Sequence, residues 1–143
     1  MRSIVLASVA LFALVTGPAF AANEISFGDD SGEYANDGEC DDPRFVGEGM
    51  TTTDLLSDDR LKDATDCKAA FDAGKLALNG VADDGTIDFG DDEGDYANDG
   101  ECDDMRFTGP GMTTTDLIQE DILHDATDCK TAFDAKRIKL LLK

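Results

Sequence analysis

Shifted by 62 positions, the chain lies on itself without a gap. Phe27 to Ala73 against Phe89 to Ala135 gives 36 identities in 47 aligned positions. A repeat this close means one unit of roughly 50 residues present twice, so a fold adopted by one copy is adopted by both. The run YANDGECDD occurs at 34–42 and again at 96–104, each time crowding four carboxylates around one cysteine. A second cysteine follows 27 positions on, inside DATDC.

Units of this size bury too little surface to fold on hydrophobicity alone, and small domains add disulfides or metals. In the first copy the sizeable apolar residues are Phe27, Tyr34, Phe45, Val46, Met50, Leu55, Leu56, Leu61 and Phe71. Tyr34, Phe45 and Phe71, with Tyr96, Phe107 and Phe133, are expected in the core, since each unit has little else to bury.

Four cysteines, Cys40, Cys67, Cys102 and Cys129, admit three pairings. A tandem module most simply closes on itself, which predicts Cys40–Cys67 and Cys102–Cys129. Each loop then spans 28 residues, worth about 3.5 kcal/mol by loop entropy.

The N-terminus places those cysteines in an oxidising compartment. Arg2 precedes an apolar run over Ile4 to Val15, Gly17 and Pro18 break it, and Ala19-Phe20-Ala21 offers an A-x-A site. This reads as a secretory signal peptide cleaved after Ala21. The run is too short for a membrane anchor, and no later segment would span a bilayer. The expected organisation is a signal peptide over 1–21, a first acidic disulfide module over 22–76, a linker over 77–86 and a second module over 87–143. The protein is expected in a periplasm or the medium.

Local signals give a coarse structure. EISF and TIDF alternate apolar and polar and predict short strands. Gly28 to Met50 is rich in Gly, Asp and Asn, which is turn chemistry. TTTDLLSDDRL predicts a short helix. DATDCKAAFDAG predicts a firmer one, with Thr65 as cap and Gly74 as stop. In the second copy Lys136 replaces that glycine, so the helix is expected to continue through KRIKLLLK. The expected fold class is thus a pair of small disulfide-stabilised α+β or irregular modules. Each is an acidic Gly/Asp-rich loop tied by one disulfide to a short helix.

Charge then narrows function. The whole chain carries −20, and loss of Arg2 with the signal peptide makes it −21. Such a polyanion repels nucleic acid and anionic membranes. Thirteen positions of the unit are acidic in both copies. Carboxylates held this close repel unless a cation enters, and hard oxygen ligands on a flexible loop suit Ca²⁺. The expected ligands are drawn from Asn36, Asp37, Glu39, Asp41 and Asp42, completed by Asp66 or Asp63. In the second copy they are Asn98, Asp99, Glu101, Asp103, Asp104 and Asp128. One Ca²⁺ per repeat is expected. Zinc fits these loops less well, because the cysteines are spoken for and His124 is the one histidine. The EF-hand pattern does not apply: counted back from Gly38, its first and third ligand positions would be Glu33 and Ala35.

NDGECDD with a downstream DATDC resembles the short disulfide-closed calcium modules of extracellular proteins, the Lin12/Notch repeats and the class A repeats of the low-density lipoprotein receptor. The likeness covers about 30 residues per copy. It implies one Ca²⁺ held by Asn and Asp between cysteines, the ion keeping a tiny fold together. Those modules use three disulfides where this unit has one. The longer string FGDDxxxYANDGECDDxRFxGxGM through DATDCKxAFDAG is similar to a repeat appended to secreted or periplasmic bacterial proteins, sometimes beside peptidase-like domains. That likeness implies no activity.

Catalysis is not expected. Nothing singles out a carboxylate pair for glycoside hydrolysis, no nucleophile repeats beside a histidine, and His124 aligns with Lys62 as a variable position. Arg44 and Arg106 are expected to pair with a nearby carboxylate. The competing reading is a metal-independent acidic module that docks a basic secreted or envelope protein.

Overall fold

The computed structural model describes residues 24–143; the expected signal peptide lies outside them. Each half contains one short antiparallel sheet, one 3₁₀ turn and one α-helix. Strand β1 (Phe45–Gly47) pairs with β2 (Leu76–Leu78) in the first half, and β3 (Phe107–Thr108) with β4 (Lys139–Leu140) in the second. Phe45 opposes Leu78, and Phe107 opposes Leu140. Strand β2 therefore straddles the boundary drawn at 76/77. The helices are α1 (Ala64–Asp72) and α2 (Ala126–Asp134), preceded by 3₁₀ turns at Ser57–Asp59 and Gln119–Asp121. Both expected disulfides are formed, and the four cysteines are buried. The halves are thus small disulfide-stabilised mixed modules of similar build. Closed disulfides suit an oxidising, extracellular environment. Among the described residues no helix is long and apolar enough to cross a membrane.

Each core forms around three rings. Phe27 stacks on Phe45 with centroids 5.5 Å apart, and Phe71 meets both edge-on. Phe89, Phe107 and Phe133 repeat the arrangement. Ile25 and Leu76 close the first cluster, and Ala132 and Ile138 the second. The tyrosines depart from expectation: Tyr34 is 54% exposed and Tyr96 51%. They sit on the acidic loop, which turns outward and leaves the rings unburied.

Three other local expectations are corrected. EISF and TIDF form no strands. Gly28 makes a single bridge to Lys62, Gly90 one to His124 and Ile87 one to Val81. Ile25 and Phe27 turn inward as the alternation requires, but no neighbouring ladder runs beside them. The chain instead bends at Gly28 (φ 81°), where a Cβ would lie 1.9 Å from the Leu61 carbonyl oxygen. Thr65 does not cap α1. The N-cap is Asp63, and Asp30 reaches in from the loop to accept from the Thr65 N–H at 2.8 Å and its hydroxyl at 2.7 Å. Asp92 does the same for Thr127. Finally, α2 stops at Asp134 as α1 stops at Asp72. Lys136 takes the left-handed conformation (φ 59°) that Gly74 takes in the first copy (φ 72°). Sheet pairing of β4 requires that reversal, and it outweighs the helical preference of the sequence.

A buried ion pair anchors each half. Asp42 and Arg44 are 1% and 2% exposed, with Arg44 Nη2 2.6 Å from Asp42 Oδ2. Arg44 is then extended across the molecule: its Nη1 donates to the Leu141 carbonyl at 3.0 Å. Arg106, paired with Asp104, donates in return to the Asn79 carbonyl at 3.1 Å. Leu141 and Asn79 are themselves 62 apart, and Leu56 bridges Ile118, its own equivalent. Equivalent residues that meet one another and reciprocal contacts are the marks of two-fold symmetry. The two copies are therefore docked as an internal pseudo-dimer.

Two outcomes follow. Arg106→Met leaves Asp104 buried and unpaired and frees the Asn79 carbonyl; denaturant unfolding should show a loss of about 3–5 kcal/mol. Lys136→Gly relieves a left-handed side chain and should stabilise by about 0.5–1 kcal/mol, read as a raised Tm.

Candidate metal centre

The disulfide brings the acidic loop onto the start of the helix. Cys40 is held in register by two backbone bonds, its N–H to Gly49 and its carbonyl accepting from Thr51. Cys67 sits one turn into α1. Around that link the chain gathers Asp41 from the loop and Asp63 from the helix start, 4% and 2% exposed. The Asp41 N–H donates to Asp63 Oδ2 at 2.9 Å. The same oxygen lies 3.6 Å from Cys67 Sγ. A bonded sulfur has no proton to give, so this is a contact and not a hydrogen bond. Asp103, Asp125 and Cys129 repeat the arrangement at 2.8 and 3.4 Å.

These carboxylates are incompletely satisfied. Asp41 Oδ2, Asp63 Oδ1, Asp103 Oδ2 and Asp125 Oδ1 are buried without a hydrogen-bond partner. A buried carboxylate oxygen left without a donor is costly. Burial, with the charges of Asp37, Asp63 and Asp59 added, pushes the Asp41 carboxyl up to about 6. Burial and the charges of Asp99 and Asp121 do the same to Asp103, also to about 6. Asp63 is raised by burial, with Asp66 and Asp37 contributing. Asp125 is pushed to about 7 by burial, with Asp128, Asp103 and Asp99 adding to it.

The expected ligands are thus sorted by the fold. The charges of Asp66 and Asp37 act on Asp63, as those of Asp128, Asp103 and Asp99 act on Asp125, and Asp41 feels Asp63; among the described residues the donor groups within 4.8 Å of one another hold one carboxylate each. Asp66 Oδ2 accepts the Gly38 N–H at 2.9 Å, and Asp128 Oδ2 the Gly100 N–H at 2.8 Å. Asn36 and Asn98 are exposed turn residues with φ of 69° and 67°. Glu39 and Glu101 are exposed next to the disulfide, their N–H groups donating to Asp37 and Asp99. Asp42 and Asp104 are engaged elsewhere, by arginine. The oxygens of Asp42 accept from Arg44 Nε and Nη2 and from the N–H groups of Arg44 and Leu61. Asp104 is filled likewise by Arg106 and Leu123. The guanidinium supplies the counter-charge at these two carboxylates.

Asp63, expected only as an alternative to Asp66, and Asp125, not among the expected ligands, are the carboxylates that lie against the disulfides. The available signal was position: each is the last residue before a helix and four before its cysteine, hence on the same helical face as the bridge. Each half presents one group able to hold a metal: Cys40, Asp63 and Cys67, then Cys102, Asp125 and Cys129, with potential donor atoms within 4.8 Å of one another. Because the sulfurs are spent in the disulfide, the carboxylates are the effective donors.

Stability should carry the signature of these groups. Their folded values exceed the ordinary 3.8, so the folded protein holds protons that the unfolded chain has released. Their contribution is full below about pH 4 and is lost as pH rises through 6 to 7. Exposed Asp30 and Asp92, lowered by bonds from Thr65 and Thr127, act oppositely below that range. Metal-free protein should therefore melt several degrees higher near pH 5 than at pH 7.5, a trend that differential scanning calorimetry reads directly.

No family model, no curated protein and no solved structure matches the chain; its function rests on the chemistry of this site.

Proposed function

We propose that the protein is an exported calcium-binding tandem module, one Ca²⁺ entering each half between the acidic loop and the helix start. In the first half Asp41 and Asp63 supply the buried oxygens and Asp37 and Asp66 the outer ones. Asp103, Asp125, Asp99 and Asp128 do so in the second. The observation that carries this reading is the pair of adjacent buried carboxylates in each half whose inner oxygens have no donor. A divalent ion would satisfy those oxygens and offset the burial and neighbouring charge that raise their proton affinity. All-oxygen donors of irregular arrangement favour Ca²⁺ over Mg²⁺ and over Zn²⁺. The ion's role is structural, and the chain is not an enzyme. The ion-bound acidic face would serve to dock a basic secreted or envelope protein.

The test is a Ca²⁺ titration of the oxidised, metal-free protein at neutral pH. Two equivalents should bind, and at a hundred times Kd each site should add about 2.7 kcal/mol of stability. Asp63→Asn with Asp125→Asn should leave the metal-free Tm equal or higher, because a repelling charge is gone, while abolishing the Ca²⁺-induced rise. No heat and no shift in Tm at millimolar Ca²⁺ would sink the proposal.

A further inference from the structure

The two cores are closed differently. In the first half Leu142 packs against the ring cluster, and Ile25 and Phe27 are buried. The Ser26 N–H holds that segment by donating to the Leu142 carbonyl at 2.6 Å. The second half repeats the bond, from the Asp88 N–H to the Gly80 carbonyl at 2.8 Å. Gly80 is thus the counterpart of Leu142, 62 positions earlier, and it brings no side chain. Ile87 and Phe89, the counterparts of Ile25 and Phe27, are only partly buried. The second core therefore lacks one aliphatic group that the first receives.

That shortfall coincides with an apolar trough. Two open depressions, of about 700 and 480 Å³, share Phe133 and Lys139 as walls. Pro110 and Ile138 line the larger, and Ile87, Leu140 and Leu142 the smaller. Clefts of this size take small molecules. Charge differs there as well. Lys136 and Lys139 stand where the first copy has Gly74 and Ala77, and Pro110 where it has Glu48. The same face is therefore three charges more positive in the second copy, on a chain of net charge −20. Lys136, Arg137, Lys139 and Lys143 are exposed on the rim. Among the described residues none of these four forms an ion pair. Of the two acids on the rim, Asp134 is held by Lys130, which leaves Glu24.

We propose that this trough binds a single-chain aliphatic carboxylate, its tail lying along Ile87, Phe133 and Ile138 and its head met by Lys139 with Lys136 or Arg137. The tail gives the second core the aliphatic contact that Leu142 gives the first, and burying it is favourable in proportion to its length. The cations give the head charge-assisted hydrogen bonds. A peptide fits less well. Strand β4 is two residues long, and the Leu140 carbonyl already accepts the Leu142 N–H at 3.0 Å, so little strand edge is left to pair with. A bilayer also fits less well, because a chain of net charge −20 is repelled by anionic headgroups. The site goes beyond the calcium reading and uses none of its ligands.

The probe is dodecanoate, added below its micellar concentration to the oxidised, metal-free, full mature chain in a calorimeter. One equivalent should bind, with Kd on the order of 10–100 µM. Affinity should fall about threefold for each CH₂ removed from the tail. Lys136→Gly with Lys139→Ala installs the residues that the first copy already folds with. That double variant should keep the fold and lose affinity about fivefold or more. Lys75→Ala, in the first copy, should change nothing. The Asp63→Asn/Asp125→Asn chain should bind dodecanoate unchanged, which separates this outcome from that of the calcium reading. Two equal equivalents, an affinity unmoved by the double variant or by tail length, or no binding at about 1 mM would overturn the proposal. So would capture by phosphatidylglycerol vesicles without dodecanoate binding, or a dimer that the double variant dissociates, since either puts another occupant on this face.

Discussion

Two buried aspartate–arginine pairs carry the architecture. Asp42–Arg44 and Asp104–Arg106 lie at 1–2% exposure, where an unpaired charge would be prohibitive. Each carboxylate also receives two backbone N–H groups, so its acceptor sites are filled. Each guanidinium keeps donors to spare, and those go to carbonyls of both copies. One small motif thereby fixes the end of the acidic loop, the 3₁₀ turn and the docking of the two halves. A lysine could not do this, because it lacks the planar fork that meets a carboxylate and several carbonyls together.

That frame explains why the remaining carboxylates divide into classes. Some are engaged by backbone: Asp30 and Asp92 cap the helices from outside, and Asp66 and Asp128 each hold the loop tip with one oxygen. Others are buried and under-donated. Asp41, Asp63, Asp103 and Asp125 crowd the disulfides because the bridge draws the loop against the helix start. The same covalent link that compensates for a thin core thus concentrates charge in a desolvated place. Proton uptake or a divalent ion are the two ways to relieve it.

Near-identity of the copies makes their differences informative. Lys136 at a glycine position shows that strand pairing dictates the end of α2, against local preference. His124 and Glu93 give the second copy a local charge that the first, with Lys62 and Ser31, lacks. Internal duplication keeps the scaffold constant while single side chains vary.

Several features were legible in the chain itself. The 62-residue period, the two cysteines per unit and the excess of carboxylates fixed two like modules, closed by Cys40–Cys67 and Cys102–Cys129, with a helix beginning in each DATDC. Arg44 and Arg106, two residues past an aspartate, announced their pairing. These are local or periodic signals. Which carboxylates are buried was not legible, because Asp41 and Asp42 are adjacent, identical in type and opposite in role. Only the packing of β1 and the 3₁₀ turn around Arg44 decides that Asp42 is neutralised while Asp41 is left facing Asp63. The docking of the copies was equally hidden. It depends on carbonyls at Leu141 and Asn79, and a backbone carbonyl carries no mark in a sequence.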